Sequence, residues 1–475
     1  MPVKRRVYRL SPSQLSAETI AVTFAKTSRS PKPFDEIALE LNDEKAARFS
    51  EKWIVGYGHS SVAEHAVLHL ALENVSRLAI ETIESNRLAS YTEKSTRYQE
   101  WDKEAFVVPE EIQGARLESI YYETLNTLFD AYEQAIPRVQ NWVSLNHPQL
   151  PDEKEKEWSN RVRTTTIDVC RFLLPAASMA NVGVTINARA LEYAIRKMLS
   201  SDLAEVRQIG AEVKAVATQE LPTLVKYATP IENYQTIKNT LKEISFSNKA
   251  LEAGEWCQLL QIDPLGEDKV LSALLYRFGQ GSFGACETLV SNMELSEKQG
   301  IIKALFEGAN PFDVPLRELE YTSYLFDIVM DQGAYFEFKR HRMMSQTPQI
   351  LTAQLGFAIP RAISVAGFEE EYIGAMRKAA ETYERIFKIN PMVASYIVPN
   401  GFNRRVLFKL NLRELFHFLR LRCNSNSHFS IRRVGRAMME KIQPTHPIFS
   451  QFLQVDCTET VASISKEYFS DPAMF

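Results

Sequence analysis

Residues 171–198 read RFLLPAASMANVGVTINARALEYAIRKM, and residues 395–422 read SYIVPNGFNRRVLFKLNLRELFHFLRLR. Laid over one another without a gap, at a constant offset of 224, they match Pro175 to Pro399, Asn187 to Asn411 and Arg189 to Arg413. Upstream, residues 85–99 (SNRLASYTEKSTRYQ) lie over residues 340–354 (RHRMMSQTPQILTAQ) at an offset of 255. There Arg87 meets Arg342, and Ser90 meets Ser345. The matches keep their order and spacing in both halves, and the period is far too long for a solenoid. A duplicated domain is expected, with copies at residues 1–235 and 236–475.

The chain of 475 residues is long enough for two such copies. Its 45% hydrophobic and 24% charged residues suit a globular protein with a real core. A net charge of −4 argues against a nucleic-acid coat, so no nucleic acid is expected as partner. The five cysteines (Cys170, Cys257, Cys286, Cys423, Cys457) form no CxxC pair, which fits a reducing cytoplasm better than a disulfide scaffold or a zinc ribbon. The start, MPVKRRVYRLSPSQ, is basic but has no apolar run, so no secretory signal is expected. No stretch of about 18 apolar residues predicts a membrane span.

Helical spacing of apolar residues dominates the pattern. It predicts helices over 61–85, 116–145, 187–226, 320–338, 370–388 and 411–441. Short strand-like pieces stand at 104–108 (EAFVV) and 405–410 (VLFKL within it). The class is therefore α+β, helix-rich, with a small antiparallel sheet in each half. The polar segment 228–256 holds the expected boundary.

Several motifs carry a plain explanation beside a chemical one. His59-Ser-Ser61-Val-Ala-Glu64 reads as a capping box opening the helix expected at 61–85. His65 and His69 stand at i and i+4, but with no third ligand in view no metal is expected. Gly279-Gln-Gly281-Ser-Phe-Gly284 matches a dinucleotide fingerprint by letters only, because helical patterning surrounds it where a strand is required. Arg340-His341-Arg342 follows an apolar segment, where basic residues compensate a helix dipole or grip an anion bidentately. Glu93-Lys94-Ser95-Thr-Arg97 sets a hydroxyl and a guanidinium two residues apart, on one face if the segment is extended.

At these residues the sequence resembles the flavin-dependent thymidylate synthases. Their signature runs Arg-His-Arg-x-x-Ser-x-Asn-Glu-x-Ser-x-Arg-Tyr, after a segment His-x-Ser/Thr-x-x-Glu, with a later Asn-x-Arg and a further arginine. The first half keeps Glu93, Ser95, Arg97, Tyr98, His59, Ser61, Glu64 and the early arginine Arg171. It has Asn86 in place of the signature histidine, and Met198 at the late-arginine position. The second half keeps Arg340, His341, Arg342 and the late arginine Arg422, but has Pro348, Ile350, Thr352 and Ser395 at the other positions. Its His-x-Ser-x-x-Glu segment is expected to have decayed to Val314, Leu316 and Leu319. In that family each nucleotide site is built between two subunits of a homotetramer, and the losses here sort along that division. The resemblance therefore implies one complete composite site, drawn from both halves.

The activity implied is reductive methylation of dUMP to dTMP, with methylenetetrahydrofolate as carbon donor, NADPH as reductant and FAD as cofactor. Arg97, Arg171 and Arg340 would grip the nucleotide phosphate, with Glu93, Lys94 and Glu337 beside the substrate. Arg422 and Ser95 would act at the uracil ring. His341, Arg342, Asn411, Arg413 and His417 would hold FAD, together with Arg340, Glu93, His59, Ser61 and Glu64. Thr92, Lys94 and His417 depart from usual family residues. They leave open a flavoenzyme acting on another pyrimidine nucleotide, and a non-catalytic nucleotide-binding paralogue. Two halves per chain imply a homodimer that imitates the homotetramer, with pockets formed either within or between chains.

Overall fold

The computed structural model describes residues 6, 8–10, 14–28, 30–56, 59–114, 116–242, 255–307, 313–453 and 459–470. Cys457 and part of the segment 228–256 lie outside them. The chain forms two compact units, one from residues 1–95, 104–115 and 177–247, the other from 96–103, 116–176 and 248–475. Each is helix-rich with one small antiparallel sheet, the α+β class expected. These units are not the sequence halves. The helices Arg116–Asn146 and Glu155–Cys170, from the first half, pack within the second unit.

The first unit's sheet contains β1 (Val67–Ser76), β2 (Ala89–Glu93) and β3 (Met179–Asn187) in the order β1-β3-β2. Strand β3 buries Ala180, Val182, Val184 and Ile186 on one face, the two-residue period of a half-covered strand. The expected helix over 61–85 is absent. In its place a 3-10 turn (Ser60–His65) leads into β1, and then the short helix Arg77–Ile83 follows, capped by Ser76. The sequence Leu68-His-Leu-Ala-Leu72 alternates as well as it spirals, and cross-strand pairing with β3 decides between the two. The expected capping box is also absent, since Glu64 pairs with Arg189 instead. The piece 104–108 makes only an isolated bridge, Phe106 to Ser178.

The second unit's sheet contains β4 (Cys257–Ile262), β5 (Ser323–Asp331), β6 (Ser345–Pro348) and β7 (Asn403–Asn411), in the order β4-β5-β7-β6. The helix expected over 320–338 is thus a strand followed by the short helix Gln332–Phe338. On its strand half Leu325 and Val329 stand on the other face beside Ser323 and Asp327, which blurs the alternation of buried Tyr324, Phe326, Ile328 and Met330. The expected helix over 411–441 is broken into Leu412–Arg422 and Phe429–Ile442. These helices cover the sheet, with Phe338 stacked 3.9 Å from Phe408 and 4.4 Å from Phe418 between ring centroids. The long helix Arg116–Asn146 buries Tyr121, Leu125, Leu128, Tyr132, Ala135 and Val139, a stripe at helical spacing. It meets the helix Glu369–Phe387, where Thr124 and Thr382 share a buried hydroxyl bond of 2.7 Å.

Sheet register reproduces the sequence repeat. Ser90 pairs with Thr185 in one sheet, and Ser345 with Lys409 in the other, so each partner is displaced by its own offset, 255 and 224. The caps repeat too: Asn187 accepts from the Ala190 N–H, and Asn411 from the Glu414 N–H, both at 2.9 Å. β1 has ten residues where β5 has nine. The extra residue lies at a register shift between Leu72 and Val75, where Asn74 takes φ +56°, a conformation asparagine tolerates better than most residues. Before the bulge the offset is therefore 256, and Val67 and Ser323 both pair with the equivalent asparagines. This corrects one expectation. The partner of Glu64 is Glu320, not Leu319, and that of His59 is Pro315, not Val314. Ser61 meets Arg317, not Leu316.

Candidate functional site

Glu337 sits on the helix Gln332–Phe338, whose residues are all buried and whose N-terminus is capped by Asp331, accepting from the Ala334 N–H at 2.8 Å. A carboxylate there needs cationic partners, because burying an unpaired charge costs several kcal/mol. It has two. Arg171 Nη2 donates to Glu337 Oε1 and Arg422 Nη1 to Oε2, each at 3.2 Å. Arg171 caps the helix Glu155–Cys170, and Arg422 ends the helix Leu412–Arg422, positions where a cation complements the dipole. One residue comes from each sequence copy, and both belong to the second unit.

Arg97 joins this group. Its Nε and Nη2 bind the Asp168 carboxylate bidentately, at 2.9 and 2.8 Å, and Nη2 also donates to the Asn426 carbonyl at 3.1 Å. Burial works against the Arg97 charge, but the Asp168 bonds and field outweigh it and hold the guanidinium above its usual range. Arg422 is shifted the other way. Desolvation lowers it, and Arg340 and Arg97 add repulsion that Glu337 opposes. Arg171 is only 2% exposed, its Nη1 donates to Thr96 Oγ1 at 3.4 Å, and its Nε has no hydrogen-bond partner. Arg97, Arg171 and Arg422 thus gather three guanidinium groups about two carboxylates, Asp168 and Glu337. Such a cluster favours an anion with several acceptor oxygens. A cleft of about 770 Å³ adjoins it, with Arg97, Asp168, Asn426, Arg432, Trp142 and Tyr468 in its walls.

His341 is buried beside Arg422, and both of its ring nitrogens are engaged. Arg422 Nε, which can only donate, lies 3.0 Å from His341 Nε2, and His341 Nδ1 lies 3.3 Å from Glu414 Oε1. The ring is therefore neutral with its proton on Nδ1. Burial pushes it below the ordinary histidine range, Glu414 partly offsetting this and Arg422 adding to it. His428 is fixed in the opposite tautomer. Its Nδ1 accepts from the Ser430 N–H at 3.1 Å, and its Nε2–H donates to the Asp168 carbonyl at 3.0 Å.

The other expected site residues divide between the units. In the second, Arg413 is held by the Pro315 carbonyl and Glu320 Oε1, both at 2.8 Å, and His417 lies exposed with its ring 5.7 Å from that of His341. Arg342 is half-buried and Arg340 exposed. In the first unit, the Glu93 side chain is 1% exposed and paired with Arg77 at 3.0 Å. Lys94 continues the sheet bonding through its N–H to the Asn181 carbonyl at 2.9 Å, and Ser95 is half-buried. His59 and Ser61 are exposed at the 3-10 turn, and Glu64 pairs with Arg189 as Glu320 pairs with Arg413. Sequence reasoning missed Asp168, Glu414, Asn426 and His428. The signals available were an acid one helical turn before Arg171, and Glu414 directly after Arg413.

The remaining motifs carry no site. His69 is on β1, bonded through Nδ1 to Thr185 Oγ1 at 2.9 Å, and no metal-holding group of three occurs among the described residues. Residues 279–282 link two helices, Gly266–Phe278 and Phe283–Ser291, as a loop without the preceding strand. No described helix is long and apolar enough to cross a membrane. Cys170, Cys257, Cys286 and Cys423 are buried thiols.

The family described as thymidylate synthase complementing protein matches residues 10–223 and again 262–448. A protein of Chlamydia muridarum named UPF0159 is 29% identical over 444 residues, covering 89% of this chain and 83% of its own. A UPF0159 protein of Thermoplasma acidophilum is 28% identical over 446 residues, covering 86% and 88%. A flavin-dependent thymidylate synthase of Clostridium tetani is 28% identical over 233 residues, which is 48% of this chain but 88% of that one. The double match, the half-chain relative and the repeated sheet register describe one duplicated domain. The chain belongs to the thymidylate synthase complementing protein family.

Proposed function

We propose that this chain is a flavin-dependent thymidylate synthase-like enzyme that methylates dUMP reductively to dTMP at a site composed from both sequence copies. The observation that carries the reading is the joining of Arg171, from one copy, to Arg422, from the other, through Glu337. A dUMP phosphate is a dianion with acceptor oxygens on every side, which suits a cluster of guanidinium forks. Arg97, Arg171 and Arg340 bind that phosphate, and the unpartnered Nε of Arg171 offers a further donor. Arg422 faces the uracil edge, where a fixed cation stabilises negative charge developing on the ring.

The residues present fit FAD through their donor chemistry. Arg342 and Arg413 are half-buried, His417 is exposed, and Asn411 spends Oδ1 on its helix while keeping its amide donors. With Arg340, they would hold the cofactor. His341 backs this set, since both its ring nitrogens are already engaged. Bound FAD supplies the hydride chemistry, with NADPH as reductant and methylenetetrahydrofolate as carbon donor. The working assembly is a homodimer with one composite nucleotide site per chain.

Complementation of a thymidine auxotroph tests the reading directly, alongside the absorbance of purified protein at about 450 nm, where bound flavin absorbs. Growth without thymidine and a yellow protein are expected. A colourless protein showing no thermal shift with FAD would overturn it.

A further inference from the structure

We propose that Glu414 and His341 are positioning residues that aim the Arg422 guanidinium, with Glu337 fixing its second edge. The inference rests on the proposed nucleotide site and assigns these residues a task within it. Arg422 has five N–H donors on a planar fork, and a fork held at one point still swivels. Here two edges are held: Nε by His341 Nε2 at 3.0 Å and Nη1 by Glu337 Oε2 at 3.2 Å. Nη2 is left to meet a ligand. His341 can accept from Nε only while its proton stays on Nδ1, and Glu414, at 3.3 Å from Nδ1, holds it there. Glu414 and Arg422 stand at the two ends of the helix Leu412–Arg422, two turns apart, so the imidazole ties both to one rigid element. Phe338 and Phe418 rings pack on its flanks at centroid distances of 6.5 and 5.0 Å, which stops the ring from turning away.

The duplicated chain contains its own control. The sheet register assigns Glu337, His341, Glu414 and Arg422 the first-copy equivalents Thr82, Asn86, Ala190 and Met198. None of those four can ionise. Asn86 has turned to local bonding, its Nδ2 donating to the Ile83 carbonyl at 3.0 Å. Yet the neighbouring framework is kept in both copies, including the capping asparagines Asn187 and Asn411 and the paired glutamates Glu64 and Glu320. A residue needed only for folding would be expected in both copies. The four stand together where Arg422 is present and are all replaced where it is absent, as parts of one device would be.

Two measurements test the assignment. In protein labelled with 15N-histidine, long-range proton–nitrogen spectra should show His341 protonated on Nδ1, and Glu414→Leu should abolish that preference. Calorimetric titration with dUMP should show His341→Leu and Glu414→Leu weakening binding by about tenfold or more, the share of one charge-assisted hydrogen bond. His341→Gln, which keeps an acceptor oxygen, and Glu414→Gln, which keeps the acceptor for Nδ1–H, should recover most of the loss. FAD affinity should stay within about twofold in all four variants, a spread below that of one hydrogen bond. Protonation on Nε2 in the wild type, or unchanged dUMP affinity in folded leucine variants, would overturn the proposal. So would a loss confined to FAD, which would make His341 a direct cofactor contact. A wild type that ignores dUMP would sink the functional reading, and the tautomer would still decide this one.

Discussion

Pro175 and Pro399 face each other across an antiparallel bridge, and they are the same position in the two sequence copies. The flanking bonds are reciprocal: the Ala176 N–H donates to the Val398 carbonyl and the Asn400 N–H to the Leu174 carbonyl, both at 3.0 Å. Each donor and each acceptor is 224 residues from its counterpart, so the copies meet there as two subunits related by a two-fold axis would. Such pairing explains how a residue of the first copy, Arg171, stands within reach of the second copy's Glu337.

Glu337→Gln should lower stability by about 3 kcal/mol, because it leaves the buried Arg171 and the partly buried Arg422 without their shared counter-charge. The side chains of Arg171 and Glu337 are 3% and 6% exposed, so water does little to screen the loss. Inorganic phosphate should raise the melting temperature of the variant more than that of the wild type, by refilling the vacated forks. An unchanged denaturant midpoint would show that the three groups are not coupled as drawn.

Binding stoichiometry should be one dUMP per chain. Arg97→Ala and Arg422→Ala should each abolish turnover, whereas Thr352→Arg combined with Met198→Arg should not create a second site. Titration to two sites per chain would contradict the division of labour between the copies. Mixing the two alanine variants should not restore activity, since Arg97 and Arg422 stand in one cluster of one unit; recovery after confirmed exchange would show pockets shared between chains.

The ion pairs Glu64–Arg189 and Glu320–Arg413 are partly exposed, at 39% and 50% in the first and 26% for both partners in the second. Pairs of this kind contribute at most about 1 kcal/mol. Glu64→Gln and Glu320→Gln should therefore barely move the unfolding midpoint. Arg413→Ala should lose FAD affinity with little loss of stability, measured by flavin fluorescence quenching beside a melt. A large fall in stability would make Arg413 a structural residue instead.

Much of this arrangement was legible in the residues. The offsets of 224 and 255 reappear as the register of Ser90 on Thr185 and of Ser345 on Lys409, because identical strand pairing demands identical spacing. What misled was local. Leu68-His-Leu-Ala-Leu72 satisfies both periods, and only the partner strand β3 selects extension. The one-residue bulge at Asn74 is silent in composition, yet it moves the partner of Glu64 from Leu319 to Glu320. Asp168 and Glu414 escaped because an acidic residue on a helix normally reads as solvated surface, and burial is a tertiary property.

His428 makes the last prediction. It is fully buried, and burial first, then the fields of Arg171 and Arg97, push it well below the ordinary histidine range, so the folded ring is neutral. The unfolded histidine takes up a proton below about pH 6.5, while the folded one does not. Between that value and the lower folded pKa the unfolded state holds more protons, so stability falls as pH falls, by up to about 1.4 kcal/mol per pH unit for this group. Carboxylates raised by burial (Glu18, Glu267, Asp331) tilt the curve the opposite way at lower pH, so the useful quantity is the difference between variant and wild type. His428→Gln does not titrate, and its midpoint in denaturant should fall less steeply from pH 7 to pH 5 than that of the wild type. Protonation would also place an N–H on Nδ1 against the Ser430 N–H, removing the cap of the helix Phe429–Ile442. That helix start adjoins Asp168, whose carbonyl His428 holds and whose carboxylate grips Arg97. While the folded ring stays neutral this route leaves nucleotide affinity unchanged, and affinity should weaken only at the lower pH where the folded ring itself protonates, in the wild type and less so in the variant. Parallel pH curves for the two proteins would exclude His428 as the titrating group.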